Sequence, residues 1–508
     1  MKKMEENLFD KKKSKSIISK RGRRLKNSPD GTLTIFRKEA KKMAEQQKKP
    51  QSEWLIISPN GSIVKVDDFN WKGHDELLAF YRHESSGSRE VKQAPAHVKM
   101  MQSLELVDYE PAADAGNFRW LPKGHLIKRL LEEHASIIVR EYGGMQVETP
   151  IMYDFNHPQL GSYLKRFPAR QYQLLSEEKK YFLRFAACFG QYLIMHDMQM
   201  SYQHLPIRLY ELTHYSFRRE QTGELAGLRR LRGFTMPDMH TLCGDVEQAK
   251  EEFYRQYLLC KKWMTDLRLD HVMAIRVVED FFDQHRNFIL NMVKDFGQPI
   301  LFEKWKQRFF YFILKFEFNV VDGQKKAAAL STVQIDVENA ERFSIQYVDK
   351  NGKPQYPLLL HASISGSIDR NLYALLEQEA RKKQRGEIPN FPYWLSPVQV
   401  RFIPVADRHL QHCFNLASQL QARVEIDDRS DTVPRKVREA EVNWVPFIVV
   451  IGDREIENDV LSLRERGFPQ QKEMKINELQ KQLAQLQGDK PFEPLGWPKQ
   501  VSRQPRFR

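Results

Sequence analysis

Two β-prone runs hold an unusual concentration of side chains that could do chemistry. They are "IRLYELTHYSFRRE" (207–220) and "GLRRLRGFTMPDMHTLCGD" (227–245), with a polar, glycine-containing stretch from Gln221 between them. This pattern predicts two antiparallel strands joined by a long, mobile loop. Side chains alternate along a strand, so residues i and i+2 share a face. Arg218 and Glu220 then share one face, and Phe234, Met236, Asp238 and His240 share another. A pocket lined by both faces suits a nucleotide. A guanidinium grips phosphate oxygens with a planar fork. A carboxylate accepts from an exocyclic amine, and an aromatic ring stacks on a base. The plainer reading is a surface ion pair for the arginines and glutamate and a core position for Phe234. Pro237 removes a ladder donor inside the second run, so that strand is expected to lie at an edge or to bend there.

Two further segments carry chemistry. In "PLLLHASISGSIDRNLYALLEQ" (357–378) an apolar strand ends near His361, and Gly366 and Ser367 open a helix. Ile368, Leu372, Leu375 and Leu376 form its apolar stripe. Arg370 sits off that stripe near the helix start, where a cation suits phosphate, although a solvent-facing arginine would look the same. In "VETPIMYD" (147–154) Pro150 interrupts a strand-like run, which suits an edge strand at a subunit interface.

The elements that must position these residues can be read from periodicity. Residues 53–66 form two apolar runs around Pro59-Asn60-Gly61, a hairpin pattern. Residues 68–105 read as a linker. Leu126, Leu130, Ile137 and Ile138 give 125–142 a helical spacing. After "FPYWLSP" (391–397) the order is strand 398–404, helix 409–421, strand 423–427, helix 432–441, strand 444–451, a small α/β domain. Residues 472–487 read as an amphipathic helix. The expected organisation is therefore a basic, disordered arm over 1–50, a small segment over 51–110, a large domain over 111–392 and an α/β domain over 393–470. A helix and basic tail close the chain over 471–508.

The chain has 508 residues and a formal charge of +14. The first fifty residues carry 17 Lys/Arg and 6 Asp/Glu, a net of +11, so about +3 remains for the rest. A polyanion, RNA first, is the natural partner of such an arm, and a solubilising tail is the alternative. Four cysteines (188, 243, 260 and 413) do not make a disulfide scaffold and suit a reducing, cytoplasmic setting. No apolar run is long enough for a membrane span, and no secretory signal opens the chain. "KKKSKS" (11–16) is a solvated charge run rather than a signature loop, and there is no phosphate-binding GxxxxGK[ST].

Three patterns coincide in order: a strand with a proline, FRxE followed by Arg-Gly-Phe on a hairpin, and strand–glycine–helix with an arginine. They resemble motifs 1, 2 and 3 of the class II aminoacyl-tRNA synthetases. "RFAACFG" (184–190), "YSFRRE", "LRGFTMPDMHTLC", "ALSTVQIDVENAERF" (329–343) and "LLLHASISGSIDR" are most similar to the archaeal-type threonyl-tRNA synthetases. The resemblance covers about 53–470. It implies an α/β fold whose α+β catalytic domain is an antiparallel sheet flanked by helices, followed by an α/β anticodon-binding domain.

The resemblance also implies roles. Arg218 would hold the α-phosphate, Glu220 the adenine amine and Phe234 the adenine ring. Arg230 and Arg370 would hold the outer phosphates, with Mg²⁺ accompanying ATP. Cys188, His240 and His361 match the ligands of a zinc ion, although they lie 52 and 121 residues apart in sequence. Asp238 would grip the substrate's amine and hydroxyl, with Gln334 and Lys315 as further polar active-site residues. One thiolate and two imidazoles leave a zinc position open. That position can reject valine, a near-isostere of threonine that lacks the hydroxyl. Glu455 and Arg464 would read anticodon bases. Phe312, Ala329 and Met236 depart from the polar or Tyr residues of bacterial-type relatives. The implied activity is threonine activation with ATP and transfer to tRNA(Thr), in a homodimer formed around Pro150. No editing domain is expected within the chain, so a separate trans-editing deacylase is an expected partner. The alternatives are a synthetase-like RNA-binding paralogue that charges nothing, and a prolyl or seryl relative.

Overall fold

The computed structural model describes residues 52–86, 94–165 and 170–507. The expected arm over 1–50 lies outside them. A ten-stranded sheet dominates the chain. Its strands are β1 (Ser52–Ile57), β2 (Ile63–Lys65), β3 (Met145–Gln146), β4 (Ile207–Phe217) and β5 (Gly233–Cys243). They continue with β6 (Val272–Val278), β7 (Ile300–Trp305), β8 (Phe312–Val321), β9 (Ala327–Asp336) and β10 (Leu358–Ser363). The spatial order is β2-β1-β7-β6-β8-β9-β10-β5-β4-β3. Only β6/β7 and β3/β4 are parallel pairs, and the rest are antiparallel.

The 53–66 hairpin forms as expected and adds β1 and β2 to this sheet, with β1 against β7. Residues 68–105 are more than a linker. They contain α1 (Asp75–Ser86) and α2 (Ala96–Ser103). Leu77 and Phe80 of α1 pack on Ile56, Ala274 and Leu301 of the sheet. Met101 of α2 joins the main core. These segments lack a long apolar run, and burial against a distant sheet decides their structure.

Helices α3 (Pro122–Glu141), α5 (Val246–Asp266) and α6 (Ile368–Gln384) cover one face. Pro122 starts α3 at a position where a missing N–H costs nothing. Asp245 caps α5 by accepting from the Gln248 amide at 2.8 Å. Trp263, Tyr257 and Phe253 of α5 and Leu372, Leu375 and Leu376 of α6 are buried beneath the sheet with Met239 and Cys243 of β5. The opposite face is partly covered by α4 (Cys188–Asp197), whose Phe189, Tyr192 and Met195 bury Leu242, Leu359 and Leu209. The two sides of β5 thus serve different purposes, as its alternation requires.

A second sheet, β11 (Val400–Pro404), β12 (Val424–Ile426), β13 (Phe447–Ile451), β14 (Leu461–Glu465) and β15 (Gln471–Met474), follows. Its order is β12-β11-β13-β14-β15, with helices α7 (Leu410–Ala417) and α8 (Val433–Val442) as the crossovers. The βαβαβ reading fits. Residues 471–474 are a strand rather than the start of the last helix, α9 (Ile476–Gln487), which begins where Glu478 Oε2 accepts the Lys475 amide. Leu479 and Leu483 of α9 complete the core of this second sheet.

Candidate active site

The sheet register places the candidates. His240 of β5 lies directly opposite His361 of β10, and His361 opposite Gln334 of β9. Gln334 is opposite Lys315 of β8, and Lys315 opposite Arg276 of β6. Directly paired residues point to the same face. A single row across four strands therefore runs His240, His361, Gln334, Lys315, although 121 residues separate its first two members.

Cys188, at the start of α4, completes the cluster. The donor atoms of Cys188, His240 and His361 lie within 4.8 Å of one another, with Cys188 Sγ 3.8 Å from His361 Nδ1. His240 Nδ1 meets the Gln191 amide oxygen at 2.8 Å, while its Nε2 is buried without a hydrogen-bond partner. Gln191 Oε1 can only accept, so the proton sits on Nδ1 and Nε2 presents a lone pair. His361 Nε2 meets Asp336 Oδ2 at 2.7 Å, which leaves Nδ1 toward the thiol. Burial and the neighbouring His361 hold His240 well below its usual range, so it is a neutral imidazole. Burial, reinforced by Asp238, pushes the Cys188 thiol up, so a metal must itself stabilise the thiolate. One sulfur, two nitrogens and an orphaned lone pair fit a zinc ion.

Near this cluster lies a group of arginines. Strand β4 ends at Phe217, so Arg218 and Glu220 lie just past it rather than on it. They still converge. The Arg218 guanidinium sits 5.5 Å from the Phe234 ring centre. It makes no ion pair and no side-chain hydrogen bond among the described residues. Burial and the nearby Arg170 lower its pKa, against Glu220 and Asp238. Arg370 donates to the carbonyls of Arg229 and Ala329 at 3.0 and 3.2 Å. Burial, with Arg218 and Arg230, brings it down to about 10. A buried guanidinium that feels two neighbouring ones belongs to a site prepared for a polyanion.

Glu220 is engaged by Arg170 and, through Oε2, by Arg230 at 2.8 Å. Burial alone would raise it, but these arginines outweigh burial and hold it below its usual range. Arg230 also pairs with Glu224 at 2.7 Å. The roles expected of Glu220 and Arg230 therefore require this ion pair to open. Asp238 is partly exposed, and burial together with Glu211 pushes it up to about 7. Gln334 Oε1 accepts from the Tyr311 hydroxyl at 2.7 Å, and Lys315 pairs with Glu317 at 2.6 Å.

Pro237 is not on an edge strand, because β5 runs between β4 and β10. The bend is real. The β4/β5 register slips between Phe234 and Met236, where β4 spends an extra residue and Tyr215 takes φ +59°. The ladder with β10 extends only to Met239, so Pro237 needs no donor on that side. Its carbonyl accepts from Ser363 Oγ at 2.7 Å.

Arg170, Gln191, Tyr192, Tyr311 and Asp336 escaped the sequence reading. Asp336 follows Gln334 by two on one strand, and Gln191 follows Cys188 by three on one helix, so alternation and helical spacing were the available signals. Pro150 lies between short strands and is exposed, beside exposed Ile151 and Met152. Its neighbour Thr149 is pinned by Glu211, which is itself paired with Arg184 at 2.6 Å. Glu455 closes its own helix start by accepting the Gly452 amide at 2.9 Å. Arg464 is exposed opposite Ile448. The two lie toward opposite ends of β13 and are not brought together.

Comparison with known proteins bears on the family and the domains. Residues 172–379 match the model of the tRNA synthetase class II core domain (G, H, P, S and T), and 399–486 match that of the anticodon binding domain. The chain is 52% identical to the threonine–tRNA ligase of Pyrococcus furiosus, over 94% of this chain and 78% of that one. It is 50% identical to that of Methanothrix thermoacetophila, over 91% and 76%. Among solved structures, the RNA binding domain of threonyl-tRNA synthetase from Cryptosporidium parvum shares the fold, with a TM-score of 0.67 at 22% identity. It covers 78% of this chain and 98% of its own. With relatives this similar across nearly its whole length, the chain belongs to the threonine–tRNA ligases, enzymes of the class II aminoacyl-tRNA synthetases.

Proposed function

We propose that the pocket joins threonine to AMP with Arg218, Arg230 and Arg370 on the phosphates, and that zinc at Cys188, His240 and His361 selects the amino acid. The Arg218 guanidinium, near Phe234 and without an ion pair among the described residues, is the observation that carries the nucleotide half. The threonine carboxylate is already a nucleophile, so attack on the α-phosphate needs no general base. Pyrophosphate departs with its charge met by Arg230, Arg370 and the Mg²⁺ that ATP brings. Positioning and preorganised charge supply the rate. Phe234 stacks on the adenine and Glu220, once released from Arg230, accepts from its amine. Bound zinc would supply a Lewis-acidic position that favours an amine and a hydroxyl over a methyl group. Asp238 accepts hydrogen bonds from the same two substrate groups. Gln334 and Lys315 lie further along the same row and extend the polar lining. The acyl group then passes to a tRNA whose anticodon the second sheet reads, with Glu455 and Arg464 as candidate contacts.

Exposed Met145, Ile151 and Met152 around Pro150 support a homodimer through this edge. No helix among the described residues is long and apolar enough to cross a membrane. A cytoplasmic enzyme, with its tRNA as partner, is the consistent reading. The test is tRNA charging together with zinc analysis. The purified chain should bind one zinc per subunit and charge tRNA(Thr) with threonine. Cys188→Ala should lose both. A zinc-free preparation that charges normally would overturn the zinc assignment.

A further inference from the structure

We infer that His97, from the segment that reads as a linker, is a positioning residue for the phosphate-binding arginines. The inference rests on the nucleotide roles proposed for Arg230 and Arg370. His97 lies on α2 and is wholly buried. Its Nε2 accepts from the backbone N–H of Leu228 at 3.0 Å, and its Nδ1 lies 2.7 Å from Glu377 Oε1 on α6. An N–H donor on one side fixes the tautomer, since Nε2 must carry a lone pair and Nδ1 the proton that goes to Glu377. The same carboxylate oxygen accepts the His97 amide at 2.9 Å. One imidazole thus ties the loop that returns to β5 to the helix that carries Arg370.

That loop is a tight turn. Ala226 N–H donates to the Arg230 carbonyl and Arg229 N–H to the Ala226 carbonyl, both at 3.1 Å. Leu228, at its centre, is wholly buried. Arg229 reaches Asp322 at 2.5 Å, and its carbonyl takes the Arg370 guanidinium at 3.0 Å. The Leu228 amide that His97 holds is therefore two residues from Arg230 and one from the carbonyl that orients Arg370. Gly227 makes the approach possible. It has φ +53°, and a Cβ there would come within 2.3 Å of His97 Nε2. No other element supplies an acceptor to the Leu228 amide among the described residues, so losing His97 leaves a buried donor unpaired beside two substrate-binding cations.

The experiment is ATP–pyrophosphate exchange with His97→Phe, His97→Gln and Gly227→Ala. The expected result is a rise in KM for ATP of roughly tenfold for His97→Phe and Gly227→Ala, the effect of one lost buried hydrogen bond. KM for threonine should stay within about threefold. His97→Gln should recover most of the ATP affinity, because its amide oxygen can accept at the Nε2 position. Equal rises in both KM values, or His97→Gln as impaired as His97→Phe, would overturn the inference, as would variants that melt earlier with both KM values unchanged. Arg370→Ala is the control. If it leaves exchange unaltered, the nucleotide reading itself fails, whatever His97 does.

Discussion

Arg218 is a half-buried guanidinium without an ion pair among the described residues, close to an aromatic ring and within electrostatic reach of a carboxylate. Most buried arginines among the described residues are paired, as Arg184 is with Glu211 and Arg401 with Glu425. An unpaired one is costly unless a ligand completes it. Arg218→Ala should lower kcat/KM for exchange by about 100- to 1,000-fold, the usual cost of losing a preorganised charge contact to the transition state. Arg218→Lys should recover little of this, since one ammonium cannot reproduce a fork. A Lys variant near wild-type activity would contradict a bidentate phosphate contact. These residues were readable as types but not as partners. Phe234, Asp238 and His240 follow from alternation on one strand. The convergence of Cys188, His240 and His361 does not, because sheet register and a helix end create it from positions 52 and 121 residues apart. The Glu220–Arg230 pair was likewise hidden, since it needs a loop to fold back on itself.

At the scale of elements, close backbone approach and helix-to-helix polar contacts hold the site. Gly366 opens α6 with φ +65°, and a Cβ there would stand 2.4 Å from the Leu330 carbonyl oxygen on β9. Gly366→Ala should destabilise the protein by about 2 kcal/mol or more, through strained backbone and displaced β9. Chemical denaturation reads this directly, and an unchanged midpoint would refute the contact. At the end of α5, Asp266 accepts from His134 of α3 and from Lys262, both at 2.9 Å. Burial opposes ionisation there, but these partners outweigh it and hold the carboxyl well below its usual range. A depressed pKa adds stability above the unfolded value near 3.9 and loses it as pH falls through the folded value. Asp266→Asn should therefore melt below wild type at pH 7, and the gap should close below about pH 4. A gap that widens in acid would reverse the sign. The hairpins and helices of this scale were largely legible from periodicity. The helices in 68–105 were not, because Leu77, Phe80 and Met101 are few and bury themselves against strands far along the chain.

Over the whole molecule, the C-terminal segment joins the two sheets' territories. Trp497 Nε1 donates to Glu425 of β12 at 2.9 Å, and the Ile426 amide donates to the Lys499 carbonyl. The same segment reaches the large domain through Glu493 to Arg129 of α3 and Lys490 to Asp266. Its sequence reads as a basic tail because few of its residues are apolar, and backbone and side-chain hydrogen bonds do the holding instead. Trp497→Ala removes a donor from a buried carboxylate already shared with Arg401. It should cost about 1–3 kcal/mol and unfold the small domain first. Hydrogen exchange across 399–486 checks this, and uniform protection would contradict it.

The most direct test of the central claim is ATP–pyrophosphate exchange with threonine, serine and valine on the zinc-loaded chain. Threonine should drive exchange, serine should drive it less, and valine should fail because it lacks the hydroxyl that the contacts proposed for Asp238 and a bound zinc would require. Exchange as fast with valine as with threonine, or none with threonine from folded, zinc-loaded protein, would contradict the assignment.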